Sequence, residues 1–124
     1  MICWCSRQQK TVALLVAEAE YMELAETAKQ AAWLRNFSQE IGRSPTHPTT
    51  ICANNQAAIF LATNPAQQMQ IKHMDIHYHY IWEQVQDQKV MICHIPGEDN
   101  PVDLFTKLLG RIKVKKFKES IGLV

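Results

Sequence analysis

Three places along the chain carry side chains whose types and spacing could support metal chemistry. Glu20 and Glu23 lie three residues apart in a helical pattern, so they share one face of that helix. Asn54 follows a short apolar strand pattern, and ligand sites in open α/β sheets favour the carboxyl ends of strands. A third, acidic group follows the last predicted strand and consists of Glu98, Asp99 and Asp103.

Carboxylates that converge from separate elements are the hard oxygen ligands that Mg²⁺ prefers. Two such ions about 4 Å apart would hold a phosphodiester for in-line attack by water. The alternative is that acidic residues near helix N-termini only complement the helix dipole. Composition by itself leaves both interpretations open.

Three histidines, His73, His77 and His79, lie close together in the chain. His73 and His77 have the i, i+4 spacing that could chelate a transition metal. The segment lacks the H-E-x-x-H pattern, however, and no further His or Cys follows at a partner spacing. Histidines at a surface or an interface, near phosphate, are the competing interpretation.

The cysteines Cys3, Cys5, Cys52 and Cys93 form no C-x-x-C pair, which argues against a zinc knuckle or a disulfide framework. We expect reduced thiols that serve as small buried hydrophobes on strands, in a cytoplasmic or nuclear protein that is not secreted. No apolar run approaches the ~20 residues of a membrane span. The chain has neither a G-x-S-x-G motif nor a glycine-rich phosphate loop.

The net charge of +1 hides a basic C-terminal segment. Residues 111–124 hold five Lys or Arg against one acidic residue, whereas residues 1–110 hold eight against eleven. A basic tail can attract a polyanion, and a solvated helix face would have the same composition.

The predicted elements alternate in type. Hydrophobic spacing predicts one α/β domain, 1–124, with the order β–α–β–α–α–β–α–α and at least one parallel strand pair. The predicted segments are a strand at 2–6, a helix at 16–41 that ends before Gly42, a buried strand at 49–52, helices at 55–62 and 75–86, a strand at 90–95, and helices at 101–107 and 112–121. The buried face of the first helix is expected to include Ala19, Met22, Ala25, Ala28, Ala32 and Phe37.

Five collinear motifs resemble one family, the ribonuclease H domain at the C-terminal end of copia-type retrotransposon Gag-Pol polyproteins. The resemblance begins at Trp4-x-Ser6-Arg7-Gln8-Gln9-Lys10-Thr11-Val12-Ala13-Leu14 with Glu18-Ala19-Glu20-Tyr21, and covers about residues 2–123. The remaining motifs are Ala31-Ala32-Trp33-Leu34-Arg35, Asn55-Gln56-x-Ala58-Ile59, Lys72-His73-x-Asp75-Ile76-x-Tyr78-His79, and Pro96-x-Glu98-Asp99 with Asp103-Leu104-Phe105-Thr106-Lys107.

This resemblance implies a ribonuclease H-like fold, a mixed sheet with flanking helices, that lacks its first two strands. Such domains cut the RNA strand of an RNA–DNA hybrid during reverse transcription, with two Mg²⁺ ions held by four carboxylates. The family's catalytic and metal-binding carboxylates fall on Glu20 and Asp103, with Glu18 as the weaker match. The family aspartate of the I-Y-C-D-N-Q motif is Asn54 here.

The exchange of aspartate for Asn54 removes a charge that would offset the dehydration of Mg²⁺. The fourth carboxylate belongs to a strand that should precede Trp4, and we expect it to be absent. With two of four ligands missing, we predict doubtful Mg²⁺ binding and no appreciable nuclease activity.

Partner expectations follow from the same resemblance. An RNA–DNA hybrid or another nucleic acid would contact Lys72, His73, Lys113, Lys115 and Lys116. Strands that lose their neighbours would leave bare edges, which predicts marginal stability, strand re-pairing or self-association. Four hypotheses stay open: an inactive ribonuclease H-like fragment, a non-catalytic nucleic-acid-binding module, an enzyme completed by another chain, and a relic without a selected role.

Overall fold

A computed structural model describes residues 16–64 and 79–123 of the chain. Within these residues the protein is mixed α/β, mostly helical, with one two-stranded parallel sheet. The described residues form two compact units, 16–64 with 79–94, and 95–123. The expectation of one domain over 1–124 stays a prediction, and the expected strand at 2–6 lies outside the described residues.

The first helix, α1, spans Val16–Glu40 and confirms the long helix expected from the sequence. Gly42 ends it with a φ of 77°, which glycine adopts without a Cβ clash. The Gly42 N–H donates to the Gln39 carbonyl at 3.0 Å, and the Arg43 N–H donates to the Ser38 carbonyl at 2.7 Å. These two bonds satisfy carbonyl groups that the end of a helix would otherwise leave unpaired.

The buried face of α1 differs in part from the predicted one. Its buried side chains are Tyr21, Met22, Leu24, Ala25, Ala28 and Ala31. Phe37 was expected in this face and is 46% exposed, with its ring stacked on Trp33 at 5.7 Å. The prediction was wrong there because the core contacts of α1 end near Ala31, so the last turns of the helix extend beyond the packed layer.

The sheet consists of β1, Thr49–Ala53, and β2, Val90–His94. The strands pair in parallel, with Ile51 opposite Ile92, which confirms the expected parallel pair. Between them lie α2, Gln56–Thr63, and α3, His79–Gln86. The part of the predicted 75–86 helix before His79 falls outside the described residues.

One face of the sheet carries the core. Ile51 and Val90 are buried with Leu24, Ala58 and Ile81 from the surrounding helices. The prediction of a buried strand at 49–52 was only partly right, because Thr50 and Cys52 are exposed on the other face. Cys52 is therefore not a buried hydrophobe as expected, and Cys93 is half-buried.

The sheet edges bear on the expected self-association. In the described part of the chain, β1 pairs with β2 alone, so each of these strands has one edge without a strand partner there. Unpaired edges of this kind can recruit further strands. Self-association stays a prediction.

The second unit is short and basic. It contains a 3-10 helix at Gly97–Asp99, the short helix α4 at Asp103–Thr106, and α5 at Arg111–Ser120. The predicted helix at 101–107 is a single turn, because the chain is extended again at Lys107. Before this turn, the Asn100 side-chain oxygen accepts a hydrogen bond from the Val102 N–H at 3.2 Å. No helix within 16–64 or 79–123 is long and apolar enough to cross a membrane.

Candidate functional site

Glu20 and Glu23 lie on the second turn of α1. Glu20 is half-buried and Glu23 is exposed, one turn apart on the same side of the helix. Desolvation of the Glu23 carboxyl, followed by repulsion from Glu20, raises the pKa of Glu23 above its ordinary value. The two carboxylates thus form a small acidic surface on the helix that packs against β1.

Asn54 lies directly after Ala53, the last residue of β1, and its side chain is exposed. The next residue, Asn55, is the N-cap of α2 and accepts a hydrogen bond from the Ala58 N–H at 3.0 Å. The strand end and the capped helix therefore define the position of Asn54 between them. Its side chain is a neutral amide, which offers an oxygen ligand but no negative charge.

Asp103, the second assigned carboxylate, begins α4 in the other unit. Its Oδ2 accepts a hydrogen bond from Lys107 Nζ at 3.0 Å, one turn further along. An ammonium group thus already neutralises the carboxylate that the resemblance assigns to a metal ion. Glu98 and Asp99 lie in the preceding 3-10 helix.

Asp99 is paired with a lysine of α5. Lys116 Nζ donates to Asp99 Oδ1 at 2.6 Å. This hydrogen bond and the charge of Lys116 lower the pKa of Asp99, with a smaller contribution from Lys113. The pair links the acidic segment to the basic helix within the same unit.

The donors that the resemblance assigns are divided between the two units. In the unit of 16–64 with 79–94, Glu20 supplies a carboxylate and Asn54 an amide, whereas in the unit of 95–123 Asp103 is engaged by Lys107. Across residues 16–64 and 79–123, no group of three or more His, Cys, Asp or Glu side chains is placed to hold a metal ion. Glu18, the weaker match, lies half-buried near the start of α1.

The basic residues of α5 divide into two groups. Lys116 donates a hydrogen bond to Asp99, and the charge of Lys113 also lowers the pKa of Asp99. Arg111, Lys115 and Lys118 follow the i, i+4, i+7 spacing and therefore form one exposed stripe, which we call the basic stripe. Within the described residues, no ion pair involves a member of the basic stripe.

The nucleic-acid contacts expected from the sequence include Lys115 but omit Arg111 and Lys118, the other two members of the basic stripe. The helical spacing of the five basic residues was the signal that could have found them. Lys72, His73 and His77 lie outside the described residues. His79 begins α3, where its ring meets that of Trp82 edge-on at 5.1 Å.

Comparison with known proteins identifies the relatives of the chain. It is 38% identical over 122 residues to the retrovirus-related Pol polyprotein from transposon TNT 1-94 of Nicotiana tabacum, a match that covers 98% of this chain and 9% of that protein. It is 33% identical over 123 residues to the Pol polyprotein from transposon RE2 of Arabidopsis thaliana, covering 99% of this chain and 8% of that protein. The corresponding protein from transposon RE1 of the same plant is 34% identical over 122 residues, with 98% of this chain and 8% of that protein covered.

No family model matches the chain. No solved structure matches it either. The chain spans less than a tenth of the length of these polyproteins. Its homologues are thus retrovirus-related Pol polyproteins of copia-type transposons, and this protein is similar to a short segment of them over nearly all of its own length.

Proposed function

We propose that the chain is a ribonuclease H-like segment of a Pol polyprotein and that it does not hydrolyse RNA. Its similarity to Pol polyproteins supports its place in such a polyprotein, and the five collinear motifs support the ribonuclease H-like part. The parallel pair β1–β2 with α1 packed against it is compatible with a ribonuclease H-like sheet. The absence of hydrolysis depends on one observation, the neutral amide of Asn54 at the end of β1.

The physical reason is electrostatic. Mg²⁺ gives up its hydration water reluctantly, and negatively charged oxygen ligands offset that cost. Asn54 keeps the shape of an aspartate but supplies no charge. Asp103 shares its charge with Lys107. A pair of divalent ions would therefore be held too weakly to position a phosphodiester for attack.

A cleavage assay tests this proposal. The full chain is incubated with a labelled RNA–DNA hybrid and Mg²⁺ or Mn²⁺, and no cleavage is expected. Cleavage that Glu20→Gln abolishes would contradict the proposal, because it would show a working metal site around this carboxylate.

The substitution Asn54→Asp tests the electrostatic reason. It should raise the affinity for Mn²⁺ measured by calorimetry. Asn55→Asp is the matched control, since it adds the same charge one residue later at an N-cap, where aspartate and asparagine cap equally well. Equal gains in both variants would mean that general charge, rather than a ligand at position 54, governs metal binding.

The basic stripe favours a second candidate function, binding of nucleic acid without cleavage. Cations on one helix face can neutralise several phosphates, and such binding weakens steeply with salt. Lys115→Ala should then lower the slope of log K against log salt by about one. Lys116→Ala is the control, because Lys116 is engaged by Asp99. Equal slopes for both variants would contradict a role of the stripe, and no binding of any hybrid would favour the relic hypothesis.

A further inference from the structure

The parallel register places two thiols side by side. Cys52 of β1 is directly opposite Cys93 of β2, and their Sγ atoms lie 2.9 Å apart in a hydrogen bond. Neighbouring strands are about 4.8 Å apart, which falls within the Cα separations that disulfides span. Two residues 41 positions apart in sequence thus meet the distance requirement for a covalent link.

The two sulfurs are also accessible to solutes. Cys52 is exposed and Cys93 is half-buried. They lie on the sheet face of Thr50 and Met91, both exposed, and not on the face of the core residue Ile51. A small oxidant can therefore reach them without any opening of the core.

We propose that Cys52 and Cys93 are an oxidation site that forms a cross-strand disulfide by exchange with a low-molecular-weight disulfide such as glutathione disulfide. One cysteine, as its thiolate, attacks the small disulfide, forms a mixed disulfide and releases one thiolate. The second cysteine then attacks the bound protein sulfur and releases the other. Two protein thiols become one disulfide, and the small disulfide becomes two thiols.

The pairing favours the second step over competing reactions. After the mixed disulfide forms, the remaining sulfur is held beside it by the strand ladder, so ring closure is intramolecular. The β1–β2 hydrogen bonds already hold the two strands in register. The disulfide therefore needs no new pairing of the backbone.

The same contact slows the first step at neutral pH. The hydrogen bond to Cys93, with partial burial and the charge of that neighbour, raises the pKa of Cys52 to about 11. Because the thiolate is the nucleophile, the rate of attack by Cys52 should increase about tenfold per pH unit below that value.

A redox titration of the full chain tests the proposal. Cys3→Ser with Cys5→Ser leaves only the paired thiols, and this variant is equilibrated in glutathione buffers of increasing oxidation. We expect a mass loss of about 2 Da, the two hydrogens, with no glutathione retained. A third substitution, Cys93→Ser, is the control and should leave one glutathione attached to Cys52.

Peptide mapping of the unsubstituted chain provides a second measurement that does not need the variants to fold. Trypsin cleavage after Arg43, Lys72, Lys89 and Lys107 places Cys52 in peptide 44–72 and Cys93 in peptide 90–107. A linked pair of these two peptides supports the proposal. Two retained glutathiones, disulfide-linked dimers, or links from either peptide to peptide 1–7 alone would overturn it.

Discussion

The indole N–H of Trp82 donates a hydrogen bond to the main-chain carbonyl of Leu61 at 2.9 Å. Leu61 lies in the last turn of α2, and its helical partner would be the N–H of residue 65. Residue 65 is a proline, which has no N–H to donate. The Trp82 indole of α3 therefore supplies the donor that Pro65 lacks, and the bond connects α3 to α2.

Trp82→Phe should destabilise the protein by about 1–3 kcal/mol, because it keeps most of the buried ring but leaves the Leu61 carbonyl without its donor. Urea unfolding measures the change. Trp33→Phe is the control: Trp33 is 58% exposed, so its substitution should cost within about 0.5 kcal/mol. Equal losses in both variants would contradict this role of the hydrogen bond.

The N-cap of α2 is a second test. Asn55→Ala should cost about 1 kcal/mol, since the Ala58 N–H loses the side-chain oxygen that it donates to. The same unfolding measurement applies. Asn54→Ala changes the preceding exposed asparagine and should have a smaller effect. A larger loss for Asn54→Ala than for Asn55→Ala would show that the cap is not the stabilising element.

Packing between α1 and α2 gives a third prediction. Ala58 is fully buried in the core, whereas the adjacent Ala57 is exposed. Ala58→Leu should destabilise the protein by about 1–3 kcal/mol, because the extra methylenes force neighbouring side chains apart. Ala57→Leu adds the same volume on the solvent side and should be nearly neutral in thermal unfolding. A neutral Ala58→Leu would mean that the two helices are not closely packed there.

The sequence predicts where helices begin and end when residues at the helix ends determine it. Gly42 ends α1 as expected, and α2 begins one residue after its expected start at 55, because Asn55 is its N-cap. Each of these residues acts on its nearest backbone groups, so no knowledge of the tertiary structure is needed. The parallel pairing of the strands followed from the helices between them.

Features that depend on distant neighbours were not predictable in the same way. The sequence predicts a buried strand at Cys52, yet Cys52 is exposed, because the described helices that form the core pack on the Ile51 face of the sheet. Lys116 was grouped with the nucleic-acid contacts, although Asp99, 17 residues earlier, engages it. The pairing of Asp103 with Lys107 is different, because it is local and its i, i+4 spacing can be read from the sequence.

The acidic pair on α1 gives a pH-dependent prediction. The pKa of Glu23 is raised in the folded protein, first by desolvation and then by Glu20, so the folded state disfavours the ionised carboxyl. The penalty is absent at pH values well below the ordinary pKa of 4.5 and complete above the raised folded value. Stability attributable to Glu23 is therefore lost as pH rises through this window.

Glu23→Gln should accordingly stabilise the protein at pH 7 and have no such effect in acid well below pH 4.5, where the carboxyl is protonated in both states. Urea unfolding at the two pH values measures the difference. Glu26→Gln is the control, because Glu26 is paired with Lys29 at 2.5 Å and its loss should be neutral or slightly destabilising at pH 7. A gain for Glu23→Gln that is equal at both pH values would mean that the effect arises from helix propensity or packing rather than from the charge. Glu20→Gln should reproduce part of the gain at pH 7, since it removes the repulsion but not the desolvation.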